Sequence, residues 1–360
     1  MPDTLRPVVL ITGGEGFLGR ALIRELQKPE ADSPLHPREI RVFDLRPANG
    51  GGLPGVTRIR GDVCQRADLQ RACAGADVVF HLAALIDWNQ RVPAAVREVN
   101  VGGTVNVIDA CREAGVGALV SASSLDAIYT GGDVRDADES TPYPARFPND
   151  YCASKADAEQ AVLRADGAPL NGGRSPGARL RTIVLRPCAI WGEGDPFHIG
   201  NFLKLARFGP VFRLGRDQRP YQFVYVGNIA HAFVLAARAL LLGRAEAAGQ
   251  VYFIKDFPPK NIFDQMEPFV RAGGGRMLPA ALALPQRPLR AIAYLVEAAA
   301  RVLRPIRETT PLLTPFSVDS ACSQFTLATD KAERLLGYSP IYSEAEALQR
   351  TVDFVRATRA

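Results

Sequence analysis

A tyrosine and a lysine stand four residues apart in the stretch Tyr151-Cys152-Ala153-Ser154-Lys155. This spacing places both side chains on one face of a helix. A free tyrosine has a pKa of about 10, which is too high for an efficient base at neutral pH. A nearby ammonium group lowers that pKa because it stabilises the phenolate. The pair therefore indicates proton transfer at a substrate oxygen, with Tyr151 as the acid/base and Lys155 as its electrostatic support.

Hydroxyl side chains precede this helix in the segment Ser121-Ala122-Ser123-Ser124, at the end of an apolar run. Ser124 is predicted to hydrogen-bond the reacting oxygen and so to hold it beside Tyr151. Taken alone, tyrosine and lysine at this spacing also occur in ordinary amphipathic helices. The chemical interpretation therefore depends on the segments that surround the pair.

A glycine-rich turn, Thr12-Gly13-Gly14-Glu15-Gly16-Phe17-Leu18-Gly19, lies between an apolar run and a helix-like segment. This strand, turn and helix are typical of the first unit of a dinucleotide-binding fold. Gly13 permits the tight turn, and Gly16 lets the backbone approach a pyrophosphate at the helix N-terminus. Gly19 lets the helix pack close to the strand. The turn therefore predicts a nicotinamide dinucleotide, whose hydride transfer complements the proton transfer at Tyr151.

An acidic residue, Asp44, ends the second predicted strand, Ile40 to Asp44. A carboxylate there accepts hydrogen bonds from ribose hydroxyls and repels a 2′-phosphate, which favours NAD over NADP. Arg46 is a counter-argument, because a guanidinium group close by can hold that phosphate. NAD is the predicted cofactor, and NADP stays an alternative.

Three polar residues further along the chain have more specific interpretations. Asp62, before Val63, either receives the adenine amino group or caps the following helix. His81 either orients backbone near the cofactor or, as the pattern favours, is a satisfied structural histidine. The Asn100 amide is expected to pin the strand that carries Ser124.

The surrounding elements alternate between strand and helix, which predicts an α/β fold with a Rossmann-type doubly wound parallel sheet. The predicted strands after the second are 56–60, 77–82, 118–122 and 180–185, and the predicted helices include 102–114 and 151–165. After Arg186-Pro187 the alternation becomes irregular. We therefore predict a dinucleotide-binding domain over residues 1–188, to which 221–254 returns. Residues 189–220 and 255–360 form a smaller, C-terminal substrate-binding region.

Composition excludes several other classes. The net charge of +5 is carried by scattered side chains without a long basic run, so nucleic-acid binding is not expected. The six cysteines form no C-x-x-C pair and no disulfide framework, and no Cys/His cluster indicates a metal site. We expect neither a signal peptide nor a spanning helix, since the first strand begins at once and no long uncharged apolar stretch occurs. A cytoplasmic protein with reduced thiols is predicted.

On these residues the chain resembles the extended short-chain dehydrogenase/reductases, and it is most similar to the 3β-hydroxysteroid dehydrogenase family. The resemblance extends over nearly the whole chain. Besides the glycine turn and the Tyr151 and Lys155 pair, its marks are the segments 185–196, 223–232, 249–254 and 338–343. Sugar-nucleotide epimerases share the cofactor half but usually have an Arg-Tyr-Phe-Asn-like stretch where this chain has Leu185-Arg186-Pro187-Cys188. This difference disfavours a nucleotide-sugar substrate.

The resemblance implies an NAD(P)-dependent enzyme that interconverts a 3β-hydroxyl and a 3-ketone on a steroid or sterol, and it also implies a homodimer. One subgroup oxidises a 4α-carboxysterol, whose β-keto acid product loses CO₂ readily. The expected cofactor-binding residues are Gly13, Gly16, Phe17, Leu18, Gly19, Asp44, Arg46, Asp62, Val63, Ala83, Ala84, Asn100, Tyr151, Lys155 and Pro187. The expected substrate-binding residues are Ser124, Asp126, Ile190, Trp191 and Phe223.

One departure from the family concerns its bifunctional members, which also move a double bond. The resemblance puts Phe253 and Phe257 where those members use a tyrosine and an aspartate to move a proton. Phenylalanine cannot carry a proton, so isomerase activity is not expected. Tyr252 and Asp256 are the neighbouring residues that could substitute, although adjacent strand residues point to opposite faces.

The segment Pro288 to Ile306 has apolar residues at helical spacing, with arginines largely on the opposite side. It is predicted to be an amphipathic helix. The corresponding region of related eukaryotic enzymes is membrane-associated. Two roles follow: a lid over the substrate cavity, or a peripheral contact with the inner membrane face.

Two rival functions remain at the level of sequence. A reductase of another bulky apolar ketone, such as a long-chain β-keto acid, would use the same residues. A non-catalytic nucleotide-sensing regulator of the same fold is disfavoured, because such proteins commonly lose the tyrosine or the lysine and this chain has both.

Overall fold

The computed structural model describes residues 5–31, 33–46, 54–88, 92–172, 177–215, 219–303, 311 and 313–359. Its main sheet is wholly parallel and has seven strands. From one edge to the other, these are β3 (Thr57–Arg60), β2 (Glu39–Asp44), β1 (Val8–Thr12), β4 (Val78–His81), β5 (Ala118–Ala122), β7 (Arg181–Pro187) and β10 (Gln250–Ile254). This architecture confirms the predicted Rossmann-type α/β fold.

Two small parallel pairs lie outside the main sheet. They are β6 (Val134–Ala137) with β11 (Phe325–Leu327), and β8 (Ala189–Trp191) with β9 (Phe223–Tyr225). The α-helices in the described part of the chain are α1 (Phe17–Leu26), α2 (Arg66–Cys73), α3 (Pro93–Arg97), α4 (Gly103–Ala114), α5 (Asp150–Ala165), α6 (His198–Ala206), α7 (Val226–Leu241), α8 (Ile262–Ala272), α9 (Gln286–Leu303), α10 (Pro315–Cys322), α11 (Lys331–Leu336) and α12 (Glu344–Arg359).

Alternating side chains of the strands bury two apolar layers, one on each face of the sheet. In β1, Val9 and Ile11 pack into the layer that contains α1 and α7, whereas Val8 and Leu10 pack into the layer that contains α2, α4 and α5. Strands buried on both faces are continuously apolar, as most of the β1 sequence is. The strand order reverses between β1 and β4. A crevice therefore opens at their carboxyl ends, which is where open α/β sheets bind ligands.

One strand of the segment 221–254, which is predicted to return to the main fold, belongs to a different sheet. The helix α7 and the strand β10 pack on or in the main sheet, but β9 pairs with β8. Pro187 explains the separation, because it ends β7 and has no N–H for a continued ladder. The next strand, β8, starts at Ala189 and joins the small sheet.

No helix among the described residues is long and apolar enough to cross a membrane. The predicted amphipathic helix is α9, which begins at Gln286 and ends at Leu303. Residues 304–306 of the predicted segment lie outside the described residues.

Candidate active site

One elongated cavity connects most of the residues singled out by the sequence. Its volume is about 1510 Å³, and it extends from the turn after β1, past the ends of β4 and β5, to α9 and α10. Pockets for one small ligand have volumes of roughly 300–1,000 Å³. This cavity therefore has room for more than one small ligand.

The glycine turn lines one end of the cavity. Gly13 has a φ of +72°, and a Cβ atom there would lie 2.8 Å from the backbone of Ala83. A Cβ atom on Gly19 would lie 2.5 Å from Gly14 Cα, so the glycine lets α1 begin directly against the turn. Gly16, Phe17 and Leu18 line the cavity. The positive end of the α1 dipole and its first amides are thus available to an anion.

The Asp44 carboxylate is fixed at the same end of the cavity. It accepts hydrogen bonds from the backbone N–H of Glu15 at 3.1 Å and of Arg46 at 3.0 Å. The guanidinium Nε of Arg46 lies 3.8 Å from Asp44 Oδ1. Arg46 is therefore oriented toward the carboxylate, while both residues line the cavity.

Asp62 and Val63 also line the cavity, where cofactor contacts are expected. The Asp62 carboxylate accepts the N–H of Cys64 at 2.9 Å. The helix α2 has Gln65 as its N-cap, so Asp62 closes a local turn and is not the helix cap. Of the two interpretations of Asp62, the one as a helix cap is therefore wrong.

His81 is a buried residue that joins three elements. Its ring nitrogens lie 2.8 Å from Thr12 Oγ1 and 2.9 Å from Thr104 Oγ1. Burial, assisted by the charge of Lys155, lowers the pKa of His81 to about 3. The neutral ring therefore connects β1, β4 and α4, in agreement with the structural interpretation.

Asn100 holds a different segment from the one expected. It lies in a short π-helix over Glu98–Gly102 between α3 and α4. Its amide exchanges two hydrogen bonds with the backbone of Leu85, at 2.7 and 3.0 Å, and donates to Ser154 Oγ at 2.9 Å. It thus joins the loop after β4 to α5 and does not pin the strand that carries Ser124. It lines a small pocket beside Lys155 and not the main cavity, where the cofactor contact is expected.

Tyr151 and Lys155 lie on α5, whose N-cap is Asn149, and both line the cavity. Both residues are buried. Lys155 Nζ donates to the carbonyl oxygen of Ala122 at 2.7 Å, which ties the helix to the end of β5. Burial lowers the pKa of Lys155 to about 8, against the opposing effect of Glu159 and Asp126.

The pKa of Tyr151 differs from the expectation. Burial, followed by the charge of Asp126, raises the pKa of the phenol well above its ordinary value, while the Ser124 hydroxyl acts in the opposite direction. The expected lowering by Lys155 is not seen, and desolvation, which penalises the charged phenolate, has the largest effect at this depth. In the protein alone, the neutral phenol is therefore the stable form of Tyr151.

Ser124 and Asp126 form a reciprocal pair at the catalytic part of the cavity. Ser124 Oγ donates to Asp126 Oδ2 at 2.9 Å and accepts the backbone N–H of Asp126 at 3.1 Å. Ser124 is the N-cap of a short 3₁₀ turn over Leu125–Ile128, and its hydroxyl interacts with the phenol of Tyr151. The neighbouring Ser123 lines the cavity with a buried hydroxyl that has no hydrogen-bond partner among the described residues.

An aromatic group that the sequence analysis missed encloses the phenol. The Trp88 ring lies edge-on to Tyr151, with ring centroids 5.9 Å apart. It also contacts Phe197 at 5.7 Å, His198 at 6.3 Å and Phe316 at 6.4 Å. These side chains come from the loop after β4, the start of α6 and α10. In the sequence, only Trp88 stands out among them, because tryptophan is rare and the chain has two.

Two predicted substrate residues lie outside the cavity wall. Trp191 is 1% exposed and packs against Tyr225 and Phe269, with ring centroids 5.3 and 5.5 Å away. Phe223 is buried against Tyr221 and does not line the cavity either. Ile190 does line it, because neighbouring residues of a strand face opposite sides.

The backbone around the cofactor end completes the expected set. Pro187, at the end of β7, lines the cavity. Ala83 and Ala84, in the loop after β4, line it as well. Together with Ala122 at the end of β5, these residues bring the ends of three neighbouring strands, β4, β5 and β7, to one wall.

The positions considered for double-bond isomerisation lie outside the cavity wall. Phe253 is buried in β10 beside the Arg186 guanidinium group, and Phe257 follows the strand. Tyr252 donates its hydroxyl proton to the carbonyl of Ala247 at 2.8 Å, and Asp256 accepts the N–H of Tyr225 at 2.6 Å. None of the four side chains considered for this step lines the cavity.

At its far end the cavity is lined by residues of α9 and α10. Leu289 of α9 lines the cavity, and Ala293 packs in the same cluster as Val318 of α10. The buried face of the amphipathic helix therefore packs on α10 and reaches the cavity wall through Leu289, and its role as a lid stays a prediction. Other apolar side chains of this helix are exposed, namely Ile292, Tyr294, Leu295 and Val302.

Comparison with known proteins gives agreement over most of the chain. The chain matches the model of the 3-beta hydroxysteroid dehydrogenase/isomerase family over residues 10–286. It is similar to 3 beta-hydroxysteroid dehydrogenase type 7 of Mus musculus, with 38% identity covering 97% of this chain and 96% of that protein. It is also similar to 3beta-hydroxysteroid-dehydrogenase/decarboxylase isoform 1 of Arabidopsis thaliana, with 35% identity covering 96% of this chain and 78% of that protein.

Solved structures with the same fold include two NAD complexes. The dTDP-glucose 4,6-dehydratase of Streptomyces venezuelae has a TM-score of 0.71 and 22% identity, covering 98% of each chain. The UDP-glucose 4-epimerase of Thermus thermophilus has a TM-score of 0.68 and 23% identity, covering 97% of this chain and 99% of that one. At such identities the likeness shows the fold alone.

Proposed function

Because the chain belongs to the 3-beta hydroxysteroid dehydrogenase/isomerase family, we propose that it is an NAD-dependent dehydrogenase that interconverts a 3β-hydroxyl and a 3-ketone on a steroid or sterol. The observation that carries this proposal is the meeting of Tyr151, Lys155 and Ser124 midway along one cavity. The glycine turn lies on one side of this point. On the other side the cavity has a mainly apolar wall that includes Phe202, Leu214, Leu284 and Phe316. A substrate with one hydroxyl on an apolar ring system fits this arrangement, with its hydroxyl at the catalytic residues and its rings against the apolar wall.

The residues at the cofactor end fit a dinucleotide with unmodified ribose. The Gly13 backbone and the start of α1 provide a close approach for a pyrophosphate. Asp44 is held by two amides in a position to accept ribose hydroxyls, and its pairing with Arg46 opposes a 2′-phosphate. When bound, NAD accepts or supplies the hydride. These contacts support NAD over NADP.

The protein's own groups handle the proton and the reacting oxygen. In the oxidation direction Tyr151 removes the hydroxyl proton, and in the reduction direction Ser124 donates a hydrogen bond to the oxygen as its charge increases. The Lys155 ammonium favours the phenolate form that oxidation requires. The ring of Trp88 and its aromatic neighbours give the same point apolar surroundings. Apolar surroundings lower the local dielectric constant, which strengthens each of these interactions.

A 4α-carboxysterol is the second candidate substrate, favoured by the likeness to the plant dehydrogenase/decarboxylase. His198 lines the cavity beside Trp88 and interacts electrostatically with Asp126. As an imidazolium it offers a positive partner for a carboxylate next to the reacting carbon. Oxidation at C3 would then yield a β-keto acid, which loses CO₂ because the carbanion is delocalised as an enolate.

A substrate panel tests the proposal and separates it from its rivals. The purified protein is incubated with NAD or NADP and with 3β-hydroxysteroids, their 3α epimers, 4α-carboxysterols and long-chain β-hydroxy acids. Mass spectrometry follows the organic product, and absorbance follows the reduced cofactor. The proposal expects oxidation of 3β-hydroxysteroids and no oxidation of the 3α epimers. Oxidation confined to β-hydroxy acids would support the rival reductase, and cofactor binding without any turnover would support the rival regulator.

We further propose a peripheral contact between the mouth of the cavity and a lipid surface. Leu205, Phe208 and Phe212 line the cavity yet are exposed, Phe208 by 89%. The exposed residues Lys204 and Arg207 flank them. Apolar side chains among cations are typical of proteins that bind the surface of anionic membranes. A substrate dissolved in the bilayer would enter the cavity at this point.

A further inference from the structure

The hydrogen bond from Ser124 to Asp126 raises a problem for catalysis. A serine hydroxyl has one proton to donate. In this structure that proton is directed to Asp126 Oδ2 at 2.9 Å. A Ser124 hydroxyl engaged in this way cannot donate to a ketone or to a developing alkoxide. The proton must therefore turn toward the substrate before the reaction can use it.

The surroundings of Asp126 favour its neutral form. The carboxyl group is buried on the 3₁₀ turn after β5. Burial raises its pKa, while the Ser124 hydroxyl, the Trp88 indole and the charges of His198 and Lys155 act in the opposite direction. The titratable side chains that interact with it electrostatically are Tyr129, Tyr151, Cys152, Lys155, His198 and Tyr221. Of these, only Lys155 and His198 can carry a positive charge.

We propose that Asp126 is a positioning residue that controls the direction of the Ser124 proton. As a carboxylate, Asp126 accepts that proton and keeps it away from the substrate. As a neutral carboxyl, it donates its own proton to Ser124 Oγ, and the Ser124 proton is released toward the reacting oxygen. Ser124 Oγ has two lone pairs, which accept the Asp126 N–H and the Asp126 O–H at the same time. The inference rests on the proposed function, since it assigns a donor to the oxygen at C3.

The consequence is a pH dependence with a definite sign. The neutral carboxyl is present below the pKa of Asp126 and is lost as the pH rises through it. Ketone reduction also needs a protonated Tyr151, whose pKa is raised well above its ordinary value. The single-turnover rate of ketone reduction is therefore expected to fall with rising pH, first through Asp126. Removing one preorganised donor to an oxyanion costs on the order of 100-fold in kcat, so a decrease of about tenfold or more is expected.

The test is Asp126→Asn, in which an amide N–H permanently replaces the carboxyl proton. This variant is expected to keep its rate at high pH and there to exceed the wild type by about tenfold. In a Ser124→Ala background the same substitution is expected to leave the pH profile unchanged, since the controlled hydroxyl is gone. Glu193→Gln changes another acid on the cavity wall and should keep the wild-type profile. An Asp126→Asn profile identical to that of the wild type would overturn the proposal.

An infrared measurement tests the inference without turnover. The neutral carboxyl of Asp126 gives a carbonyl band that disappears in Asp126→Asn, and this band is titrated with pH in the wild type and in Ser124→Ala. A shift in its midpoint between the two proteins supports the coupling, and identical midpoints contradict it. If no steroid is converted with either cofactor, the proposed function fails, but the infrared titration still decides whether Asp126 and Ser124 are coupled.

Discussion

The surroundings of Tyr151 favour its neutral phenol, which cannot act as the base in oxidation. Burial and the Asp126 charge raise its pKa, and the Ser124 hydroxyl offsets them only in part. A base at this position therefore needs positive charge beyond that of the protein alone, which an oxidised nicotinamide ring would supply. In the protein alone Tyr151 is therefore ready to donate a proton, whereas in the complex with oxidised cofactor it is better able to remove one.

Tyr151→Phe removes the acid/base at the residue scale. Turnover of a 3β-hydroxysteroid is expected to fall by at least about 100-fold, in line with the contribution of a positioned acid or base. Affinity for NADH should stay close to that of the wild type, because the phenol acts on the substrate oxygen. Fluorescence titration with NADH and single-turnover kinetics measure the two quantities. Retention of most of the rate would rule out the proposed role.

Asp44→Ala tests the choice of cofactor. The wild type is expected to have the higher kcat/KM with NAD, because the carboxylate repels a 2′-phosphate. The substitution should narrow or reverse this ratio, since it frees the Arg46 guanidinium group from its pairing with the carboxylate. Arg46→Ala is the matched control and should preserve the preference for NAD. A wild type that favours NADP by about tenfold would contradict the assignment.

At the scale of elements, a buried ion pair fixes α5 on the sheet. Arg186 of β7 donates to Glu159 of α5, with Nε at 2.9 Å from Oε2, and Tyr143 also donates to Glu159 at 2.6 Å. Both charged residues are buried. Glu159 lies one turn after Lys155, and its charge favours the ammonium form of that lysine. The pair thus positions the catalytic helix and supports its charge.

Glu159→Ala would leave the Arg186 charge buried and uncompensated. The free energy of unfolding is expected to decrease by about 3–5 kcal/mol. The exposed pair of Arg334 and Asp330 offers the control, since Asp330→Ala should change stability by less than about 1 kcal/mol. Urea denaturation followed by circular dichroism measures both. Equal effects from the two substitutions would show that burial of the pair does not matter.

The proposed lipid contact at the cavity mouth is tested together with the exposed apolar side chains of α9, the helix for which the sequence offers a membrane role as an alternative. The double substitution Phe208→Asp with Leu295→Asp should weaken co-sedimentation with anionic liposomes, because both side chains are largely exposed and apolar. Leu242→Asp, at an exposed position after α7 and away from the cavity wall, is the control. Binding by the wild type should also weaken with added salt. A wild type that does not bind liposomes at low salt would leave α9 as a lid only.

Local spacing explains which parts of the site can be predicted from the sequence. The glycine turn, Tyr151 with Lys155, and Ser124 belong to short segments whose geometry follows from one element each. Trp88 and Phe316 meet only because the loop after β4 and α10 converge, and no periodicity marks such residues. Trp191 neighbours Ile190 in the sequence, yet strand alternation turns it into the core.

At the scale of the whole molecule, the parallel sheet supplies the cofactor end and the C-terminal helices supply the apolar end of one cavity. The parallel fold and the family membership confirm the predictions from the sequence. The homodimer and the domain limit at residue 188 stay predictions. The residues of the proposed reaction lie where these two parts of the cavity meet, with β5 and α5 on one side and α6 and α10 on the other.

This arrangement also bears on double-bond isomerisation. Tyr252, Phe253, Asp256 and Phe257 do not line the cavity, so none of them can transfer a proton at a steroid bound there. A Δ5-3β-hydroxysteroid is expected to give a Δ5-3-ketone, with conjugation at the rate seen in buffer alone. Near-ultraviolet absorbance of the conjugated ketone, timed against NADH, measures this. Conjugation that increases with enzyme concentration would point to another acid or base on the cavity wall, with His198 the first to test.

Isotope transfer tests the central claim most directly. A 3β-hydroxysteroid labelled with deuterium on C3 is incubated with the protein and NAD, and both products are analysed by mass spectrometry. The account predicts a 3-ketone without the label and an equal amount of singly deuterated NADH, with both products lost in Tyr151→Phe. Reduced cofactor that carries no deuterium, or labelled steroid recovered unchanged with no cofactor reduced, would contradict it.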